Sequence, residues 1–316
     1  MSLDRRAVRR SLRTAPNPTA RQRLSRVILR ARQTAHLPAY VLGGRLDRPI
    51  FIVGAPRSGT SLLTVIVAAS PRIRRWPGEG HEIWEADHHP ALRGWTSNVL
   101  TPDDLTPAQA ARIRRSFFLI SGVRHRLLDK APRNVVRIGW VDALFPDARF
   151  VFLKRDGRDN VNSLINAWRS PRYRTYRLPE PHRIPGVDPA WWKFVLYPGW
   201  RDDLDGPLEV VCARQWSASN ELALEAAAGV DPQRWIELSY EDLVERPVEE
   251  TERLMAFLDL PLEDAVRAKA RRLEPINTVT PPERGKWRRE NPEEIRSVVP
   301  LIRPTMDKLG YALDED

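Results

Sequence analysis

The sequence predicts an α/β protein of three layers, in which helices flank a central parallel β-sheet that carries a P-loop-like turn. Short apolar runs alternate with helical patterns along the chain, which is typical of parallel sheets. The first such unit is an apolar β-branched run at residues 50–53, a turn rich in Gly, Pro and hydroxyl residues, and an apolar run of helix length at 62–69. A chain of 316 residues can bury a large core. We expect a single domain over residues 41–316, with insertions near 80–125 and 170–204.

Residues 1–40 form a predicted basic arm ahead of this domain. Residues 1–35 hold ten Arg and one Asp, whereas the net charge of the whole chain is +10, so the rest of the chain is nearly neutral. Leu24, Val27 and Ile28 recur at helical spacing in the arm. Two interpretations stay open, namely a helix whose apolar stripe packs on the domain, or an arm that contacts an anionic surface. Because the body is neutral, we expect no nucleic-acid partner.

The composition of the chain also bears on the cellular compartment in which the protein is expected. The chain has one cysteine, Cys212, so an intramolecular disulfide cannot form, which suits a reducing compartment. No stretch approaches the roughly 20 consecutive apolar residues of a membrane span, and the start of the chain lacks the apolar core of a secretory signal. We therefore expect a soluble, cytoplasmic protein.

The turn after the first strand has the spacing Gly-x-x-x-x-Gly-Thr-Ser, from Gly54 to Ser61. Nucleoside triphosphatases carry Lys where this chain carries Thr60, and that Lys reaches the β- and γ-phosphates. The fixed positive charge here is Arg57 instead. Because backbone N–H groups at a helix start point toward an anion, we expect a phosphate-type anion bound without metal. The expected binding residues are Arg57, Ser58, Gly59, Thr60 and Ser61.

A turn-rich, titratable stretch follows the predicted first helix, at residues 70–85. Loops at the carboxyl ends of parallel strands line the ligand crevice of such sheets. Glu79, His81 and Glu82 are therefore candidates to face the bound anion. We expect one of them to be a catalytic base, with Glu79 ranked first, and His125 is a weaker candidate.

A second predicted anion site follows the strand segment at residues 145–154. Arg155 stands at the end of this strand, and Ser163 lies eight residues on, in the following helix. If Asp159 or Asn160 caps that helix, its first turns return past the strand end and bring Ser163 near Arg155. An Arg and a hydroxyl that converge there would form an anion site separate from the first. The alternative is a charged loop after a buried strand.

Residues 170–204 are rich in Pro, Arg and Trp, and we interpret them as an excursion on the substrate side of the sheet. Its aromatic residues either stack on a ring or sugar of the substrate or only cover the core. The residues in question are Trp191, Trp192 and Trp200.

Together these segments resemble the sulfotransferases that use 3′-phosphoadenosine 5′-phosphosulfate. The resemblance rests on the turn at 55–61, on residues 145–159 with Ser163, and on the segment at 235–244, a predicted strand with a Tyr-Glu-Asp-Leu ending. It covers roughly residues 49–310. It implies that the turn holds the 5′-phosphosulfate and that Arg155 and Ser163 hold the ribose 3′-phosphate.

The resemblance also implies roles for three further residues. Tyr240 and Lys286 are implied to bind the cosubstrate. Lys130 is implied to add charge at the reacting group, with a plain loop lysine as the alternative. The pattern Arg-Lys-Gly with Gly-x-Trp-Lys of the eukaryotic cytosolic branch is absent near Lys286, so the match leans toward the bacterial and tyrosylprotein-type branches.

The chemistry that the resemblance implies is metal-independent sulfuryl transfer to a hydroxyl or amine. In-line displacement spreads charge over equatorial oxygens, so catalysis depends on positioning and electrostatics. The acceptor class stays open among small molecules, glycans, lipids and peptides. We expect no metal site, even at Asp87, His88 and His89. Two alternatives remain: a nucleotide or metabolite kinase, which the missing loop Lys disfavours, and a catalytically silent anion-binding module that uses the basic arm.

Overall fold

Five parallel strands form the centre of the molecule. A computed structural model describes residues 20–280 and 283–312, with side chains from Leu29 onward. The strands of the central sheet are β1 (Ile50–Val53), β2 (Ile73–Arg75), β3 (Arg126–Asp129), β4 (Arg149–Lys154) and β7 (Trp235–Ser239). Within the described residues they follow the order β2-β3-β1-β4-β7, and every neighbouring pair is parallel. A separate antiparallel pair consists of β5 (Tyr176–Arg177) and β6 (Trp191–Trp192).

Helices join the strands and cover both faces of the sheet. In chain order they are α1 (Ala20–Val41), α2 (Thr60–Val67), α3 (His81–Trp84), α4 (Pro107–Ser121), α5 (Ile138–Leu144), α6 (Gly157–Arg169), α7 (Leu208–Ala227), α8 (Tyr240–Glu245), α9 (Pro247–Phe257), α10 (Asp264–Arg271), α11 (Trp287–Glu290) and α12 (Pro292–Lys308). Within the described ranges, each helix is too short or too polar to cross a bilayer.

The sheet is buried on both faces, because successive side chains of a strand point to opposite sides. Phe51 and Val53 of β1 belong to one apolar cluster, which also contains Trp84 and Phe150. Ile50 and Ile52 point the other way, into a second cluster. One apolar core on each side of the sheet gives three layers, so the predicted fold class is confirmed.

The strand register brings several chain segments to one edge of the sheet. Val53 at the end of β1 pairs with Phe152 of β4, and Phe51 pairs with Asp129 at the end of β3. Lys154 at the end of β4 pairs with Ser239 at the end of β7. The loops that follow these four parallel strands therefore leave the sheet at the same edge, which is where ligands bind in open α/β sheets.

The helix after β4 begins earlier than the sequence predicted. The expected caps were Asp159 or Asn160, but Asp156 caps α6, since its carboxylate accepts the backbone N–H of Arg158 at 2.8 Å. Asp159 lies in the first turn, where its carboxylate accepts the N–H of Gly285 at 2.7 Å. A tertiary contact therefore uses the side chain that could have capped the helix.

The predicted basic arm is described from residue 20 onward, and residues 1–19 lie outside the described residues. Residues 20–41 form α1, which packs against α4. The rings of Tyr40 and Phe118 lie 5.5 Å apart, and a ring nitrogen of His36 lies 3.1 Å from the carbonyl oxygen of Leu119. The described part of the arm thus contacts the domain, as one of the two interpretations expects.

Candidate active site

A cleft of about 1240 Å³ opens at the carboxyl edge of the sheet. Its walls include the turn after β1, Lys130 after β3, Arg155 after β4 and Tyr240 after β7. The predicted site residues that line it are Arg57, Gly59, Thr60, Ser61, Glu79, His81, Glu82, Lys130, Arg155, Ser163, Tyr240 and Lys286. Ser58 is buried, and its hydroxyl has no hydrogen-bond partner among the described residues.

The turn after β1 requires glycine at two positions. A Cβ on Gly54 would lie 2.5 Å from the carbonyl oxygen of Leu153. A Cβ on Gly59 would lie 2.7 Å from Cε2 of Tyr240 and still closer to Cδ2. Gly59 also has φ 98° and stands immediately before α2, so the turn delivers the N–H groups of the helix start to the cleft.

Arg57 links three parts of the cleft wall. Its guanidinium donates to the hydroxyl of Tyr173 at 3.0 Å, to the carbonyl of Asn277 at 2.7 Å and to the hydroxyl of Ser163 at 3.4 Å. Burial lowers the pKa of Arg57, but from so high a value that the group stays charged. The turn therefore holds a fixed positive charge, as the sequence predicted.

The second predicted anion site adjoins the first instead of standing apart from it. Arg155 donates from its guanidinium to the carbonyl of Arg57 at 2.9 Å and lies 4.5 Å from the centre of the Tyr240 ring. Its Nε is buried and has no hydrogen-bond partner among the described residues. Ser163 contacts Arg57 as above, so Arg155 and Ser163 both border the turn. The two predicted sites are therefore neighbours within one cleft, a proximity that the sequence prediction did not include.

Glu79 is held between a cation and an imidazole. One carboxylate oxygen accepts from Nζ of Lys130, and the other lies 2.9 Å from Nε2 of His81. Burial alone would raise the pKa of Glu79, but the hydrogen bond to His81 and the charge of Lys130 outweigh it and hold the pKa at about 2. Glu79 is thus an ionised carboxylate on the cleft wall, with 36% of its side chain exposed.

The other two base candidates differ from Glu79 in what they contact. The pKa of His81 is lowered by burial and by the nearby charge of Arg133, so the ring is neutral near pH 7. Its Nδ1 is buried without a partner among the described residues, and its Nε2 faces Glu79. Glu82 is exposed and accepts from the indole of Trp76 at 2.7 Å. His81 therefore orients Glu79, whereas Glu82 is occupied elsewhere.

His125 lies outside the cleft. It stands before the first residue of β3, at the opposite edge of the sheet, and its Nδ1 is 3.2 Å from the carbonyl oxygen of Ser121. Its position excludes contact with the residues around Glu79.

A segment near the carboxyl end of the chain closes one side of the cleft. Asn277 donates to the hydroxyl of Ser61 at 3.3 Å, and its carbonyl accepts from Tyr173 at 2.7 Å. Further along, Nζ of Lys286 lies 3.2 Å from Glu290 and contacts the hydroxyl of Thr280. Sequence reasoning missed Tyr173 and Asn277, because neither belongs to a recognisable motif and their contacts join distant parts of the chain.

A buried polar triad also lines the cleft, and sequence reasoning missed it as well. Glu85 accepts from the guanidinium of Arg133 and, at 2.6 Å, from the hydroxyl of Tyr176. Burial alone would raise the pKa of Glu85, but the charges of Arg133 and Arg137, with His81 and the hydrogen bond from Tyr176, together outweigh burial and lower it. The sequence contains one indication of this triad, which is that Arg133 lies in the same loop as Lys130, after a predicted strand.

Asp129 stands directly behind Lys130. It is buried and accepts from the side-chain amide of Asn134 at 3.2 Å. Burial raises its pKa to about 7. The cleft therefore has an ionised carboxylate at its surface, Glu79, and a second carboxyl beneath it that gives up its proton only near neutral pH.

The tryptophans of the excursion at 170–204 differ in their position relative to the cleft. Trp191 is partly exposed and lines the cleft, whereas Trp192 and Trp200 are buried in the core. The two adjacent histidines pack on aromatic rings, His88 at 5.4 Å from Trp140 and His89 at 5.3 Å from Tyr176. Among residues 20–280 and 283–312, no group of three or more His, Cys, Asp or Glu side chains could hold a metal ion.

Comparison with known proteins gives a consistent result. Residues 49–184 and 189–264 match the model of a protein family described as the sulfotransferase family. Protein-tyrosine sulfotransferase A of Caenorhabditis elegans is 24% identical over 83% of this chain and 67% of its own length. Protein-tyrosine sulfotransferase of Drosophila melanogaster is 25% identical over 83% of this chain and 51% of its own length. The chain thus spans between about half and two thirds of these relatives.

Solved structures show the same fold. The sulfotransferase STF9 from Mycobacterium avium superimposes with a TM-score of 0.58 at 15% identity, over 96% of this chain and 90% of that chain. The sulfotransferase STF1 from Mycobacterium tuberculosis gives a TM-score of 0.51 at 16% identity, over 96% of this chain and 93% of that chain.

Proposed function

This chain belongs to the sulfotransferase family, and we propose that its donor is 3′-phosphoadenosine 5′-phosphosulfate. As a member of that family it is a transferase enzyme. The observation that carries the choice of donor is that the two elements predicted to bind anions lie side by side in one cleft. The turn at 54–61 and the pair Arg155 and Ser163 adjoin, and both border the same space.

The residues present fit a ligand with an anion at each end. Gly54 and Gly59 let the turn approach closely, where any Cβ would collide with Leu153 or Tyr240. The buried Nε of Arg155 lacks a partner among the described residues, and a buried donor in that state calls for an acceptor. Arg57 and the N–H groups at the start of α2 would hold the 5′ end, and Arg155 with Ser163 would hold the 3′-phosphate.

Catalysis would rest on charge and position. Bound in the cleft, the donor would supply a sulfuryl group whose bond to the phosphate oxygen breaks, leaving the electron pair on that oxygen, as the acceptor oxygen bonds to sulfur. Arg57 and the N–H groups of the turn donate toward the oxygens that gain charge. One such preorganised donor contributes on the order of 10²–10³ in kcat in other enzymes.

Glu79 is the residue we assign as general base. It borders the cleft on the wall next to the turn, and its carboxylate is ionised. It would take the proton that the acceptor hydroxyl loses, while His81 holds the orientation of the carboxylate.

For the acceptor we propose a hydroxyl on an aromatic ring, carried by a peptide or a small molecule. The rings of Tyr173 and Phe194 lie 5.4 Å apart on the cleft wall, and the guanidinium of Arg174 lies 5.6 Å from the ring centre of Trp191. Flat aromatic walls favour flat ligands. The names of the relatives, protein-tyrosine sulfotransferases, make tyrosyl peptides the first acceptors to test.

The donor assignment is tested with adenosine 3′,5′-bisphosphate in EDTA. Ligand at about 100 times its Kd adds roughly 2.7 kcal/mol of stability, which for a domain of this size raises Tm by roughly 4–5 °C. Arg155→Met should lose most of that rise, and ATP with Mg²⁺ should give less than the bisphosphate. An unchanged Tm at millimolar bisphosphate would contradict the assignment. Transfer itself is followed by mass spectrometry on tyrosyl peptides, simple phenols and sugars.

A further inference from the structure

The side chain of Lys130 already has an anionic partner inside the active-site cleft. Its Nζ donates to a carboxylate oxygen of Glu79, 51 residues away in sequence, and only 9% of the Lys130 side chain is exposed. Among the described residues, Glu79 is the carboxylate that pairs with the Lys130 ammonium. The same cleft is bordered by Arg57 and the other residues of the turn.

The sheet register places this ion pair beside the turn. β1 and β3 are neighbours, with Phe51 opposite Asp129, so Lys130 leaves its strand next to the loop that begins at Gly54. A lysine ammonium is a point charge on a flexible stem, so it can turn from one anion to another without movement of the backbone. Lys130 can therefore reach either Glu79 or an anion held by the turn.

The groups around Glu79 come from three segments. His81 of α3 donates to it, Lys130 after β3 pairs with it, and Asp129 at the end of β3 and Arg133 beyond it interact with it electrostatically. Lys130 is the cation in direct contact with the carboxylate, whereas Arg133 is paired with Glu85. Removing Lys130 from the carboxylate would thus remove the main charge that stabilises its ionised form.

We propose that Lys130 exchanges partners during the reaction: its ammonium leaves Glu79 for the 5′ anion of the bound donor, and Glu79 becomes a stronger base only then. This inference rests on the proposed donor. It couples the strength of the base to occupancy of the donor site, so that an acceptor hydroxyl is deprotonated only when a sulfuryl group is present to receive its oxygen. The proton passes from the acceptor to Glu79, and no further reactant is needed.

The exchange predicts a specific pattern of binding energies for adenosine 3′,5′-bisphosphate, measured by titration calorimetry without any turnover. Glu79→Gln frees Lys130, so it should tighten binding by about tenfold in the otherwise unchanged protein, a coupling of the size found between contacting residues. In a Lys130→Met background, Glu79→Gln should change the affinity by less than about twofold. Glu82→Gln, which removes a carboxylate of the same cleft that has no lysine partner, measures the effect of charge alone.

The outcomes separate the inference from the proposed function. If Glu79→Gln tightens binding as much in the Lys130→Met background as in the wild type, or no more than Glu82→Gln does, the effect is simple repulsion and the exchange is overturned. If Glu79→Gln weakens binding, Glu79 holds Lys130 in place for the donor, which also overturns it. If the wild type does not bind the bisphosphate, the donor assignment itself fails. Lys130→Gln serves as the second background should Lys130→Met not fold.

Discussion

Replacing Gly59 with Ala tests how closely the anion-binding turn is fitted to Tyr240. Gly59 has φ 98°, and an added Cβ would lie 2.7 Å from Cε2 of Tyr240 and closer to Cδ2. Gly78 provides a matched control in the same chain. Its φ is 97°, yet no atom of the described residues lies within 4 Å of its Cβ position. The two substitutions share the backbone penalty, and only Gly59→Ala adds a collision.

The expected magnitudes follow from these two contributions. A left-handed conformation costs a residue other than glycine roughly 1–2 kcal/mol, so Gly78→Ala should lower the free energy of unfolding by that amount. Forcing an extra carbon into a packed site costs about 1–3 kcal/mol more, so Gly59→Ala should lower it by about 2–5 kcal/mol. The Tyr240 ring lies 4.5 Å from the guanidinium of Arg155, so its displacement should also weaken binding of adenosine 3′,5′-bisphosphate.

Urea denaturation of the wild type and both glycine variants measures the difference, and titration calorimetry measures the binding. Tyr240→Ala removes the ring that the new carbon would strike. In that background Gly59→Ala should cost no more than Gly78→Ala costs in the wild type. Equal losses for the two glycine variants with Tyr240 present would refute the reasoning, since they would show that the turn has room for a side chain.

Three further predictions concern charged groups of the cleft. The pKa of Glu79 is about 2, below its unfolded value, so its carboxylate stabilises the fold above about pH 4.5 and loses that effect toward pH 2. As the pH is lowered, the free energy of unfolding should therefore fall less for Glu79→Gln than for the wild type. Parallel curves for the two proteins would contradict the prediction. Because burial raises the pKa of Asp129 to about 7, above its unfolded value, stability should decline from about pH 4 to pH 7 as the unfolded chain loses this proton first. Urea denaturation at pH 5 and pH 8 should show that Asp129→Asn removes this decline in the free energy of unfolding. An unaltered pH dependence in the variant would count against the prediction. Arg155→Met should raise the Kd for adenosine 3′,5′-bisphosphate about tenfold or more, since a hydrogen bond to a charged group contributes roughly 1.5–3 kcal/mol; calorimetry with unchanged affinity would exclude Arg155 from the site.

Local patterns in the sequence were enough to predict the sheet and the turn. Residues 50–53 are apolar and buried, and the spacing from Gly54 to Ser61 placed a turn before a helix, as the structure has it. Such patterns are readable because neighbouring residues determine whether a segment is a strand, a turn or a helix. The cap of α6 was predicted wrongly, because Asp159 is turned toward Gly285 by a contact that lies 126 residues away in sequence.

The sequence pointed to residues that line the cleft but not to the contacts between them. Lys130 and Arg155 stood out as charged residues at the ends of predicted strands, and Glu79 stood out in a turn-rich stretch after the first helix. That Arg155 would adjoin Arg57, and that Tyr173 would hold Arg57 from the far wall, required the three-dimensional arrangement. Their spacing in the sequence carries no signal for either contact.

By itself the sequence determined the three-layer α/β fold, the position of the turn at 54–61 and the presence of Thr60 where nucleoside triphosphatases carry Lys, because each depends on residues close together in the chain. Only the tertiary structure decided the partners of the charged groups. Arg57 meets Asn277 across 220 residues, where the segment after α10 reaches the turn. Glu79 meets Lys130 across 51 residues, because β2 and β3 are neighbouring parallel strands whose following loops leave the sheet at one edge. The ionisation of Glu79 depends on that edge, since the lysine and histidine beside it outweigh the cost of its burial.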